Sequence, residues 1–87
     1  MDIVATLKRL SEASGVSGYE DEVREMVLEL LRPWAEDVRT DTLGNVIAVK
    51  KGAGAHPRPA LMIATHMDEI GLIVSSIEKG FVHFERV

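Results

Sequence analysis

Val23, Met26, Val27, Leu30, Leu31 and Trp34 recur at offsets of 0, 3, 4, 7, 8 and 11, and from Val38 onward the apolar period changes to two. The first spacing lays a single stripe along an α-helix, because every third or fourth side chain returns to the same face. The second is that of strands, whose side chains alternate between faces. Helices followed by strands indicate an α/β fold rather than a helical bundle. The expected architecture is two N-terminal helices followed by a mixed β-sheet. With 87 residues, one small domain or part of one is the limit, and a chain near this size buries somewhat over ~60% of the surface its unfolded form exposes. Its core is expected to be thin.

The element boundaries follow from local chemistry. Asp2 is the expected N-cap of a first helix whose stripe is Ile3, Val4, Leu7 and Leu10, stopped by Gly15. Ser17, three residues before Glu20, has the spacing of a capping box, which predicts that the second helix starts there. Glu20, Asp21 and Glu22 crowd that first turn, where the helix dipole favours negative charge. Pro33 marks the exit. Strands are predicted at Val38 to Thr40 and Asn45 to Lys50 around a turn at Asp41–Gly44, then at Leu72 to Glu78 and Phe81 to Val87, joined near Gly80. Gly52 to Pro59 is a predicted loop. Ala60 to Thr65 is apolar without alternation, the pattern of a strand covered on both faces. The chain stops inside an alternating apolar strand pattern, which leads us to expect a piece of something longer.

Composition narrows the function classes. A chain that is 46% hydrophobic and 28% charged fits neither disorder, nor a collagen repeat, nor a coiled coil. Its longest apolar run, Ala60 to Ala64, is far shorter than the ~20 residues that cross a bilayer, so no membrane association is expected. The first eight residues show no basic segment followed by an apolar one, so no leader is expected and the cytosol is the default compartment. Without cysteines there is neither a disulfide scaffold nor a thiolate metal site. The net charge of -4 is uneven: residues 1–37 hold nine acids and four bases, residues 38–87 five acids and six bases. The acidic half reads as a solvated helix face. No basic stripe with interleaved aromatics is present, which argues against nucleic acid as a partner.

The segment with the most chemistry is Ala64-Thr65-His66-Met67-Asp68-Glu69-Ile70-Gly71. It follows the predicted buried strand, and ligand sites in open α/β sheets lie outside the carboxyl ends of such strands. In an extended chain His66 and Asp68 face the same way. A neutral imidazole suits zinc, cobalt and similar ions, and a nearby carboxylate can orient the ring and raise its basicity. On spacing alone, a metal site and an ordinary polar loop start both remain open. Asp41 similarly reads as a turn residue or a helper at the site, with the turn favoured. Gly15 and Gly18 read as positions where a tight helix-to-helix link needs backbone angles a side chain would forbid.

Three blocks occur together in order: Gly15-Val16-Ser17-Gly18-Tyr19-Glu20, Asp41-Thr42-Leu43-Gly44-Asn45-Val46 and His66-Met67-Asp68-Glu69-Ile70-Gly71. The set resembles the start of the cytosolic dinuclear-metal aminopeptidases, which include glutamyl, leucyl and lysyl aminopeptidases and the TET peptidases. Essentially the whole chain takes part. The resemblance implies an incomplete piece of a three-layer α/β/α zinc-peptidase domain, with residues 1–71 as the first part of the catalytic domain. Residues 72–87 would be the opening strands of an inserted β-rich dimerisation domain. It implies that His66 binds one of two metal ions, zinc or cobalt, and that Asp68 supports that ligand and the catalytic site. Glu69 shares the motif, but the family's general base lies much further along the chain, so no catalytic role falls to it. His56 and His83 match no family ligand, and surface or packing roles are expected for both.

The implied reaction is hydrolysis of peptides from their N-terminus, with a bridging water made nucleophilic by the metals. One histidine and one carboxylate fall short of the three protein ligands a catalytic zinc normally has. The chain alone is therefore expected to be inactive. A reading from a different class is a non-catalytic α/β interaction module that pairs through exposed strand edges, and on either reading a homo-oligomer is expected.

Overall fold

A computed structural model describes all of residues 1–87. The element order is α1 (Ile3–Glu12), α2 (Asp21–Leu31), a short 3₁₀ turn (Arg32–Trp34), then strands β1 (Asp37–Thr40), β2 (Val46–Val49), β3 (Leu72–Glu78) and β4 (Phe81–Arg86). The α/β class expected from the sequence is what the structure shows, as a partial domain of two helices and small antiparallel sheets. The chain divides into two units, Met1–Val23 with Met67–Val87, and Arg24–His66. None of its helices is long and apolar enough to cross a membrane.

In the first unit, α1 begins as its sequence dictates. The Asp2 carboxylate accepts from the N–H of Ala5 at 3.1 Å, and the Thr6 hydroxyl donates to the Asp2 carbonyl at 2.8 Å. This cap satisfies donors that the first turn would otherwise leave without a partner. The apolar stripe of α1 stays uncovered: Ile3, Val4 and Leu7 are exposed and Leu10 is half-buried. Ala13 and Val23 are the buried apolar side chains of this unit. The link to α2 departs from the expected capping box. The helix starts at Asp21, after Glu20, and the Glu20 carboxylate accepts from the N–H of Gly18 at 2.8 Å. A glutamate two residues beyond a glycine with φ of +86° folds back onto the loop instead of onto a helix turn begun at Ser17.

β3 and β4 form an antiparallel hairpin from Leu72↔Arg86 to Glu78↔Phe81. The pairing shifts between Val74 and Ser76, leaving Ser75 as a bulged residue. The turn is Lys79–Gly80, with φ of 51° and 80°. Positive φ at both central residues is the requirement of a type I′ turn, whose twist matches that of the strands. Every residue of β3 and β4 is exposed.

In the second unit, α2 buries Leu28, with Met26, Val27, Leu30 and Leu31 half-buried around it. Trp34, the last member of the predicted stripe, is exposed, because the α-helix ends at Leu31 and Pro33 turns the chain into a 3₁₀ turn. β1 and β2 pair antiparallel from Asp37↔Val49 to Thr40↔Val46. Arg58 Nη1 donates to the carbonyls of Gly52 and Gly54 at 2.6 and 3.3 Å, which folds the predicted loop onto itself.

One predicted element is absent. Ala60 to Thr65 carries no ladder, and Leu61, Met62 and Ile63 are 88%, 87% and 85% exposed. The single mixed sheet is replaced by two separate two-stranded sheets, β1–β2 and β3–β4, each paired within itself. Apolar composition marks a segment as able to be a central strand. Becoming one requires flanking strands to accept its backbone hydrogen bonds, and the segment joins neither sheet.

Candidate functional site

His66 is exposed and Asp68 half-buried, each outside any helix or ladder. The boundary between the two units falls between His66 and Met67. Three residues past His66, the chain is gripped firmly. The Glu69 N–H donates to the Gly15 carbonyl at 2.8 Å, and the Gly15 N–H donates to Glu69 Oε1 at 3.3 Å. Glu69 thus holds both backbone polar groups of one glycine, across 54 residues of chain. An isolated parallel bridge joins Val16 to Glu69 at the same place.

Sterics complete the contact. A Cβ on Gly71 would lie 2.5 and 2.6 Å from the two γ-methyls of Val16, so only glycine fits there. A Cβ on Gly15 would lie 2.9 Å from Val23 Cγ1 and 3.5 Å from the Met67 carbonyl oxygen. Gly15 therefore serves close approach, whereas the sequence suggested a need for unusual backbone angles; of the two link glycines, Gly18 has the positive φ. The Gly71 carbonyl then accepts from the Val87 N–H at 3.0 Å, beyond the end of β4. The first and third sequence blocks thus meet in space, at Gly15–Val16 and Glu69–Gly71.

The middle block builds a turn in the second unit. Asp41 Oδ1 accepts from the N–H groups of Leu43 and Asn45 at 3.0 and 2.8 Å, and Oδ2 accepts from Asn45 Nδ2 at 2.9 Å. These bonds, the one from the Asn45 side chain foremost, hold the Asp41 carboxyl below the usual range. Gly44 sits at φ of +87°, and its carbonyl accepts from Arg24 Nε at 2.8 Å. Asp41 is thereby a turn residue, occupied with its own loop. His56 lies exposed in the Gly52–Pro59 loop and His83 exposed on β4.

The residues present do not make a metal centre by themselves. No group of three or more histidine, aspartate or glutamate side chains converges to hold an ion, and His66 with Asp68 provides fewer donors than a catalytic zinc requires. What the chain offers is one imidazole, followed closely by a carboxylate on a segment clamped at Glu69.

Residues 44–87 match the family described as M42 glutamyl aminopeptidase. This span carries all of His66 to Gly71. The chain belongs to the M42 glutamyl aminopeptidase family. A lysyl aminopeptidase of Pyrococcus furiosus is 46% identical over 74 residues, covering 84% of this chain and 20% of its own. A curated protein of Acetivibrio thermocellus is 45% identical over 87 residues, which is 99% of this chain and 25% of the other. Among solved structures, a TET aminopeptidase from a marine-sediment archaeon of the Thaumarchaeota superposes with a TM-score of 0.82 at 40% identity, over 95% of this chain and 23% of that one. The chain thus spans about a quarter of the length of these M42 relatives.

Glu69 is the motif residue to which the sequence alone assigned no catalytic role. Its partner is Gly15, and a bond across 54 residues leaves no trace in local spacing. The joint occurrence of the two blocks is the signal that would have found it.

Proposed function

We propose that this chain is the N-terminal portion of a metal-dependent aminopeptidase that removes N-terminal residues from peptides. In this reading His66 contributes one ligand to a zinc or cobalt site and Asp68 orients that imidazole. The remaining ligands and the general base come from outside these 87 residues, and the chain alone does not turn over. Residues 1–71 belong to the catalytic domain and residues 72–87 open a β-rich dimerisation domain. The cytosol is the compartment and peptides are the substrates. The observation that carries the reading is the M42 match over residues 44–87 with His66 and Asp68 inside it. Exposure of His66 supports it further, since a ligand histidine must be open to its ion.

Two assays test this reading. Zinc titration by calorimetry asks whether this chain already grips an ion: binding abolished by His66→Ala would make it a metal module in its own right, and no binding leaves the ligand role of His66 to the longer protein. Aminoacyl-nitroanilide hydrolysis by the 87-residue chain should be absent with or without cobalt. Robust turnover would overturn the assignment of the missing ligands.

A second reading, a non-catalytic interaction module, is favoured by one observation: β3 and β4 expose every residue and pair only with each other. Unpaired outer edges favour association with a second copy. Sedimentation should show a dimer or larger species, and a clean monomer at high concentration would remove this reading.

A further inference from the structure

We propose that Glu69 is a positioning residue: by holding the backbone of Gly15 with both its own N–H and its carboxylate, it sets the course of the Met67–Gly71 segment that carries Asp68. The proposal rests on the reading of Asp68 as a supporting group of the metal site, and goes beyond it in assigning the residue that seats it.

Three observations converge. The Glu69 N–H and Oε1 take the carbonyl and N–H of the same glycine, at 2.8 and 3.3 Å. The backbone bond and the parallel bridge to Val16 lay the segment along the link, and the carboxylate adds a further tie on the Gly15 N–H. Two residues later Gly71 lies against Val16 with no room for a Cβ. The α1–α2 link therefore grips the segment at Glu69 and again at Gly71. Asp68 is the residue immediately before the first grip. It is half-buried, although the apolar stretch from Leu61 to Ile63 before it is almost fully exposed.

The geometry also separates the side chain's contribution from the backbone's. An aspartate at 69 keeps the charge and the N–H but is one methylene too short to reach Gly15. A glutamine keeps the length and an acceptor oxygen. The test is amide hydrogen exchange at Gly15 and Glu69, together with the carbon resonance of the Asp68 carboxyl, in the 87-residue chain and its Glu69→Asp and Glu69→Gln variants. Glu69→Asp should speed Gly15 exchange about tenfold, in keeping with loss of a hydrogen bond to a charged group. It should also shift the Asp68 carboxyl signal, and Glu69→Gln should restore both. Unchanged Gly15 exchange in Glu69→Asp overturns the proposal. So does an unmoved Asp68 signal when Gly15 exchange has risen, because the bond would then be structural only. Glu69→Ala extends the series, and the Asp and Gln variants decide the matter if the alanine chain fails to fold.

Zinc added to the unmodified chain, followed at the three histidine rings, tests the underlying reading by itself. Preferential shifts at His66 support it. Equal shifts at His56, His66 and His83 remove metal binding by this chain on its own, while the exchange data still decide whether Glu69 seats the segment.

Discussion

The β1–β2 and β3–β4 hairpins are both antiparallel and two-stranded, yet the first is held at both ends and the second at one. The β1–β2 turn is filled by the Asp41 carboxylate and fixed to α2 through Arg24. At its open end the Glu36 N–H donates to the Val49 carbonyl at 3.0 Å, and Glu36 Oε2 accepts from the Lys51 N–H at 2.9 Å. In β3–β4 the open end is tied by the Val87 N–H on the Gly71 carbonyl and by Gly71 on Val16, while the space about Gly80 at the turn is empty. An isolated hairpin is marginal in water. The shorter ladder therefore draws its order from polar closure, and the longer one, exposed throughout, depends on its base.

The largest effect should follow from attacking that base. Gly71→Ala puts a Cβ within 2.6 Å of both Val16 methyls, and overpacking of this kind costs ~2–3 kcal/mol. Urea unfolding should register the loss, with amide exchange accelerating across β3 and β4. Val16→Ala in the same chain should recover much of it. A Gly71→Ala chain as stable as the parent would show that the hairpin does not rely on this contact.

The matching attack on β1–β2 is Arg24→Ala. It removes the Nε donor from the Gly44 carbonyl and should cost ~1–2 kcal/mol, the scale of a hydrogen bond from a charged group. The comparison predicts where the loss appears: at the amides of Leu43, Gly44 and Asn45, with those of Lys79 and Gly80 unaffected. Equal loosening of both turns would erase the distinction between the hairpins.

How far the sequence revealed this contrast depends on the range of each interaction. Asp2 at its cap, Pro33 at the helix exit, Asp41 in its turn and Gly80 in a hairpin are settled by neighbours within four residues, and each was legible. The start of α2 departs from its sequence signal for a local reason: Ser17 and Glu20 have capping-box spacing, but Gly18 offers a nearer donor and the glutamate takes it. Ala60 to Thr65 departs from its pattern for a global one. Its composition is that of a covered strand, but a strand is a relation to partners, and composition does not say whether partners are present. The Glu69–Gly15 bond lies wholly beyond local reading. The motif singles out His66 and Asp68, while the part of Glu69, which clamps the segment carrying Asp68, shows only in its contacts with Gly15.

A smaller effect is expected at the loose turn. Gly80 has φ of 80°, and a methyl group placed on its Cα would have nothing within 4 Å. Gly80→Ala thus meets no obstacle and costs only the left-handed backbone, ~1 kcal/mol, with Gly80→Asn costing less because asparagine tolerates that region. Thermal unfolding of the pair checks the order. An alanine chain no less stable than the asparagine one would mean that the turn is not held in the type I′ form.

The smallest effect separates the hairpins by pH. The Asp41 carboxyl is held below its ordinary range first by the Asn45 side chain and then by the Asn45 N–H, and that of Glu36 first by the Lys51 N–H. Each folded value lies below the unfolded one, near about 4, so the stabilisation is complete above that pH. It is lost as pH falls through the lowered folded values. Glu36 is exposed and Asp41 half-buried at the surface, and solvent screening keeps the contribution small. The amides of Leu43, Asn45 and Lys51 should lose protection on acidification below about pH 4. Asp41→Asn should remove the pH dependence at Leu43 and Asn45 while leaving it at Lys51, because the two carboxylates close opposite ends of the ladder. If Lys51 followed the Asp41 substitution as well, the ends would be one cooperative unit, and the contrast between a hairpin pinned twice and a hairpin pinned once would have to be redrawn.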